Sequence, residues 1–160
     1  MMASKDDIIF LKKAIDLAVT GVKQNKGGPF GCIIVKDGKI IGKGCNSVTS
    51  TIDPTAHAEI VAIRDACKHL GEYQLDDCTL YASCEPCPMC LGAIYWARPS
   101  RVVYAATRFV AAQAGFDDAF IYEEINLTGT ERRIPFEFRQ INESQAPFLS
   151  WEQKETKDLY

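Results

Sequence analysis

Ile8, Leu11, Ile15, Ala18 and Val22 recur at the three- and four-residue steps of an amphipathic helix. Ser4 followed by Asp7 resembles a capping box with Asp in place of the usual Glu, so the pattern predicts a helix from about Lys5 to Gln24 with that stripe packed on a core. Gly27-Gly28-Pro29-Phe30-Gly31 interrupts the periodicity and reads as a turn. Two apolar runs, Cys32–Lys36 and Lys39–Gly44, then flank Asp37-Gly38, a pair suited to a type I′ turn, and predict a hairpin. Asp53-Pro54-Thr55 opens a second helix with Ile60, Ile63, Cys67 and Leu70 as its buried stripe and Gly71 at C′. Thr79–Ser83 reads as a buried strand. Pro86 suits the start of a third helix that runs through Leu91, Ile94 and Trp96 to Pro99, and Arg101–Ala105 is a further strand. Strand, helix, strand over that span requires a parallel, right-handed crossover, so the sheet is mixed. Phe109 to Ala114 reads as a short helix and Gly115 to Asp118 as a loop. Ile134–Phe138 alternates as a strand that Pro135 confines to an edge, and a final helix begins near Gln145. There is no internal repeat, low-complexity tract or linker, so 1–160 is expected to be one domain.

Composition narrows the class. The 160 residues can bury a proper core. The net charge of −3, with Lys and Arg spread along the chain, does not advertise a nucleic-acid face and favours a small-molecule partner. Met1 to Phe10 lacks the apolar core of a signal peptide and no run reaches membrane-spanning length, so the protein is expected in the cytoplasm. Seven cysteines are many. In a reducing compartment their clustering at Cys84, Cys87 and Cys90 points to metal binding or catalysis rather than to disulfides.

That cluster pairs with His57-Ala58-Glu59. Cys87 and Cys90 lie three apart at a predicted helix start, where both sulfurs can reach one ion and the helix dipole favours thiolates. His57 offers a third ligand, and two thiolates with one imidazole suit zinc. Three protein ligands leave a position for water, the catalytic arrangement, and zinc brings such a water to a pKa of roughly 7. Glu59 is then free to move protons. Three other readings stay open on the residues alone: a closed structural site with Cys84 as fourth ligand, a thioredoxin-like redox pair, and a chance spacing of unrelated residues. Asn46, just past the second strand, reads as a turn former. Phe30 reads as core unless the later motifs make it a stacking face.

His-x-Glu followed by Pro-Cys-x-x-Cys is the mark of zinc nucleobase deaminases. The chain resembles the cytidine deaminase superfamily and, within it, the bacterial guanine deaminases. The likeness runs through Gly28–Gly31, Asp53–Glu59, Ser83–Trp96, Ala114–Asp118 and the terminal Tyr160. The resemblance implies a three-layer α/β/α sandwich on a five-stranded mixed sheet and one zinc ion per subunit on His57, Cys87 and Cys90. It implies Glu59 as proton shuttle, assisted by Asp118, in the hydrolysis of guanine to xanthine and ammonia. It further implies that Asn46 and the Ala58 N–H bind the purine, that Phe30 and Trp96 wall it, and that the protein is a homodimer whose tail, 145–160, crosses to the partner and sets Tyr160 over the pocket. The rival functions are a guanosine or cytidine deaminase, a tRNA adenosine deaminase and a non-catalytic zinc-stabilised binding module.

Overall fold

A computed structural model describes residues 4–159. It divides into two compact units, one ending at Asp118 and the other beginning at Ala119. The first contains α1 (Lys5–Lys23), β1 (Gly31–Lys36), β2 (Lys39–Cys45), α2 (Val48–Thr51), α3 (Ala58–Leu70), β3 (Thr79–Cys84), α4 (Pro88–Ala97), β4 (Arg101–Ala106) and α5 (Arg108–Gln113). Its sheet runs β2-β1-β3-β4. β1 is antiparallel to β2 and β3, whereas β3 and β4 are parallel across the α4 crossover. Alternation along β1 sends Cys32 and Ile34 toward α3 and α4 and sends Ile33 and Val35 toward Phe10, Leu11 and Leu17 of α1. The result is an α/β/α arrangement. The hairpin turn is of the predicted kind, with φ of 49° at Asp37 and 70° at Gly38.

Two expectations about packing need correction. The buried face of α1 is Asp7, Ala14, Ala18 and Gly21, while Ile8, Ile15 and Val22 are exposed. The cause lies in the strand beneath: a Cβ on Gly31 would come within 2.2 Å of the Ala14 carbonyl oxygen and 2.7 Å of the Ala18 nitrogen. Helix backbone rests on strand backbone, and only small side chains fit between. The same holds for α3, whose buried residues are Ala58, Glu59, Ala62 and Ala66. They lie over Gly42 and Gly44, and the predicted stripe of Ile63, Cys67 and Leu70 packs only partly buried beside the core.

Element ends also shift. Asp53-Pro54-Thr55 is a turn upstream of α3, with Asp53 Oδ1 accepting from the Thr55 N–H at 2.8 Å. The helix itself begins at Ala58, capped by His57. The α4 helix begins at Pro88 rather than Pro86, so Cys87 is its N-cap residue, and it ends with Arg98 in the left-handed region. The short α2 was not predicted. The capping box at Ser4 and Asp7 is present, and the same Asp7 carboxylate accepts from Tyr81 Oη and from both arms of Arg101.

The second unit contains α6 (Ala119–Ile125), a 3-10 turn (Asn142–Gln145) and α7 (Ala146–Glu152). Glu124 accepts from the Arg133 N–H and, through its carbonyl, from Arg132 Nε, and the Arg132 guanidinium lies over the Phe136 ring. None of its described residues is buried. The expected strand at Ile134–Phe138 is not formed: Phe136 donates to the Gly129 carbonyl in a loop, and Ile134, Phe136 and Phe138 are exposed. The described residues therefore form a four-stranded sheet rather than the five-stranded one the resemblance implied. The alternating pattern has no strand to pair with here, and a strand exists only as part of a ladder. Tyr160 lies outside the described residues. Among the described residues, no helix is long and apolar enough to cross a membrane.

Candidate metal centre and active site

The α3 and α4 helices start at one place, and the residues that cap them are His57 and Cys87, both in extended conformation. Neither side chain makes a capping hydrogen bond, and Cys90 reaches the same point from the first turn of α4. Cys87 Sγ stands 3.5 Å and Cys90 Sγ 3.6 Å from His57 Nδ1. All three donor atoms lie within 4.8 Å of one another, the only such cluster among the described residues.

These separations match a tetrahedral ion. Zinc–sulfur and zinc–nitrogen bonds of about 2.3 and 2.0–2.1 Å at a tetrahedral angle put the two donors about 3.6 Å apart. The donor set therefore fits zinc in both chemistry and span. Cys84 does not join it. Its buried thiol is directed to the Thr107 carbonyl at 3.6 Å, which removes the proposed fourth sulfur and leaves a three-ligand site.

The electrostatics of the cluster follow from its crowding. Contact with the Cys90 thiol and with His57 lowers the Cys87 pKa to about 4. Cys90 is driven the other way, by the Cys87 sulfur first and by burial second. His57 is raised first by its bond to Cys87. Glu59, in the first turn of α3, is buried, and desolvation raises its carboxyl. Asp118 is raised mainly by burial, with the Cys87 charge adding to it. Both carboxyls thus respond to the sulfur cluster.

The remaining expected residues divide. Asn46 is buried beside the start of α3, where the Ser47 N–H donates to the Ala56 carbonyl. Ala58 is buried, and its N–H is one of the first-turn donors that have no acceptor within the helix. Phe30 meets Phe116 edge to face, with ring centroids 5.1 Å apart. It also lines a 690 Å³ apolar cavity with Ile15, Val19, Cys84, Val110 and Phe116. Trp96 lies near the end of α4, largely exposed. Two supporting groups escaped sequence reasoning. Phe116 touches Phe30 two residues before Asp118, and Glu85 accepts from the Arg108 N–H at the start of α5, 3.0 Å away. Both are contacts between distant segments that no local spacing announces.

Residues 4–106 match the family model described as the cytidine and deoxycytidylate deaminase zinc-binding region. The chain is 60% identical over 151 residues to the guanine deaminase of Bacillus subtilis strain 168, covering 94% of this chain and 97% of that protein. A crystal structure of Bacillus subtilis guanine deaminase superposes with a TM-score of 0.93 over 95% of this chain and 97% of the other, at 60% identity. A tRNA-specific adenosine deaminase of Aquifex aeolicus is 44% identical over 97 residues, 61% of this chain and 64% of its own length.

Proposed function

The chain belongs to the cytidine and deoxycytidylate deaminase zinc-binding family, and from that membership we propose that it hydrolyses guanine to xanthine and ammonia as a zinc-dependent aminohydrolase. One observation carries the choice of guanine. The likeness to the Bacillus subtilis guanine deaminase spans 94% of the chain, beyond residues 4–106 where the family's zinc motif ends. The likeness to the tRNA-specific enzyme covers 61%.

His57, Cys87 and Cys90 would hold one zinc ion. Zinc, when bound, brings water to a pKa of roughly 7 and makes hydroxide available at neutral pH. Glu59 takes the water's proton and delivers it to N3 of the ring. Its buried, raised carboxyl suits a group that must gain and lose a proton in one cycle. The oxygen adds to C2, and the tetrahedral carbon expels ammonia after a second proton transfer through Glu59, aided by Asp118. Asn46 and the Ala58 N–H hold the polar edge of the purine, and Phe30 and Trp96 flank the ring. The protein acts as a homodimer in the cytoplasm, in purine breakdown, with residues 145–160 crossing to the partner and Tyr160 closing the pocket over a free base. Support for the exchange is the apolar surface left bare on the second unit at Ile134, Phe136, Phe138 and Phe148.

The test is ammonia release by zinc-loaded protein from guanine, guanosine, cytosine, cytidine, adenine and a tRNA anticodon stem. Guanine is expected to lead, and Glu59→Gln to lose about 10²–10⁴-fold in turnover with zinc retained. Silence on guanine beside release from another member would overturn the assignment.

A further inference from the structure

The turn before β1 is built around one side chain. Asn46 Oδ1 accepts from the Gly28 N–H at 3.0 Å and from the Val48 N–H at 3.3 Å. Its backbone is pinned as well, since the Asn46 N–H donates to the Phe30 carbonyl at 2.9 Å. Two backbone donors from different segments converge on one atom, and only an acceptor can satisfy both. The amide is therefore oriented without ambiguity: oxygen inward, nitrogen outward. The amide nitrogen has no protein partner among the described residues, and it is not among atoms sealed from solvent. What Asn46 offers a ligand is a pair of N–H donors and no acceptor.

Gly27 makes this orientation possible. A Cβ there would stand 2.2 Å from Asn46 Oδ1 and 2.7 Å from the Asn46 carbonyl oxygen. Neither neighbour can yield cheaply, because the amide is held by two hydrogen bonds and the backbone by a third. Gly27 is not among the glycines with positive φ, which are Gly38, Gly71 and Gly115. The backbone there could accept alanine, so the glycine is required for space rather than conformation.

We propose that Gly27 is a positioning residue. By carrying no side chain it lets Asn46 lock its oxygen on the Gly28 and Val48 N–H groups and present its amide nitrogen to an acceptor atom on the purine edge. The inference rests on the reading that Asn46 contacts the purine. It makes selection for a ring carbonyl or bare ring nitrogen, against an exocyclic amine at that edge, a property of the 27–30 turn as much as of Asn46.

The test is a double-mutant cycle on the zinc-loaded protein, with KM, kcat and zinc content measured for Gly27→Ala, Asn46→Ala and the double variant at a temperature below each unfolding midpoint. Gly27→Ala is expected to raise KM for guanine about tenfold, the scale of one lost ligand hydrogen bond, with kcat and zinc little changed. In the Asn46→Ala background the same substitution is expected to change KM less than about twofold, because its target is gone. An unchanged KM in Gly27→Ala, or its full effect multiplying through the cycle, overturns the positioning role. Asn46→Ala with the native KM instead overturns the underlying purine contact. Asn46→Asp decides the orientation independently of Gly27. It keeps an acceptor for both backbone donors but loses the outward donors, so KM should rise as far as in Asn46→Ala, and a native KM would mean that the oxygen faces the ligand.

Discussion

At Asp7 a single carboxylate closes the capping box of α1 with Ser4 and takes both guanidinium arms of Arg101, 2.8 and 2.9 Å away. The Arg101 bond first, with help from Ser4 and Tyr81 and against the cost of burial, holds this carboxyl well below the usual carboxylate range. A depressed pKa in the folded state adds stability that is complete above the unfolded value near 3.9 and is lost as pH falls through the folded one. Asp7→Asn should therefore cost about 2 kcal/mol at neutral pH, and the gap between variant and native urea midpoints should begin to narrow below about pH 4 and go on narrowing as pH falls further. A gap that persists unchanged at pH 2–3 would mean that the charge does not matter. The capping role of Asp7 was legible three residues from Ser4. The Arg101 role was not, because 94 residues separate the partners. The same distinction governs the site. His57, Glu59, Cys87 and Cys90 could be read because short spacings at helix starts fix their placing, whereas the Asn46 latch needs Gly28 brought from 18 residues away.

The elements were legible where apolar runs are bounded by turn and helix-start residues, as in the hairpin around Asp37-Gly38 and the β3-α4-β4 crossover. They were misread where packing depends on size. The α1 and α3 helices turn alanine faces to the sheet because Gly31, Gly42 and Gly44 let backbones approach, and a search for large apolar residues overlooks such a face. Gly44→Ala tests the point. Its Cβ would stand 2.1 Å from the Ala58 carbonyl oxygen and 2.6 Å from the Ala62 nitrogen, so α3 must lift at the end that bears His57 and Glu59. Overpacking of this kind should destabilise by about 1–3 kcal/mol and weaken zinc retention, measured by denaturant midpoint and metal content. Native values for both would show that the strand, not the helix, gives way. Ile134–Phe138 failed as a strand for a different reason: alternation announces a half-buried strand only where a ladder is available to receive it.

For the molecule as a whole, the second unit leaves Ile134, Phe136, Phe138 and Phe148 exposed, large apolar side chains of the kind a partner subunit covers. Light scattering should find a mass near twice 17.8 kDa that persists on dilution; a monomer throughout would refute the dimer. The convergence of α3 and α4 carries a last consequence. An ion shared by His57 and the two cysteines is a cross-link between the starts of two helices that already pack on each other through Ala62, Ala66, Ile94 and Ala97. Folding and metal occupancy then become linked equilibria, and each tenfold rise in free zinc above its dissociation constant should add about 1.4 kcal/mol to the native state. In a zinc-buffered series the melting temperature becomes a gauge of the free ion. It should climb with log free zinc in the native protein and in Cys84→Ala and stay level in His57→Ala; equal slopes in all three would mean that the ion binds elsewhere.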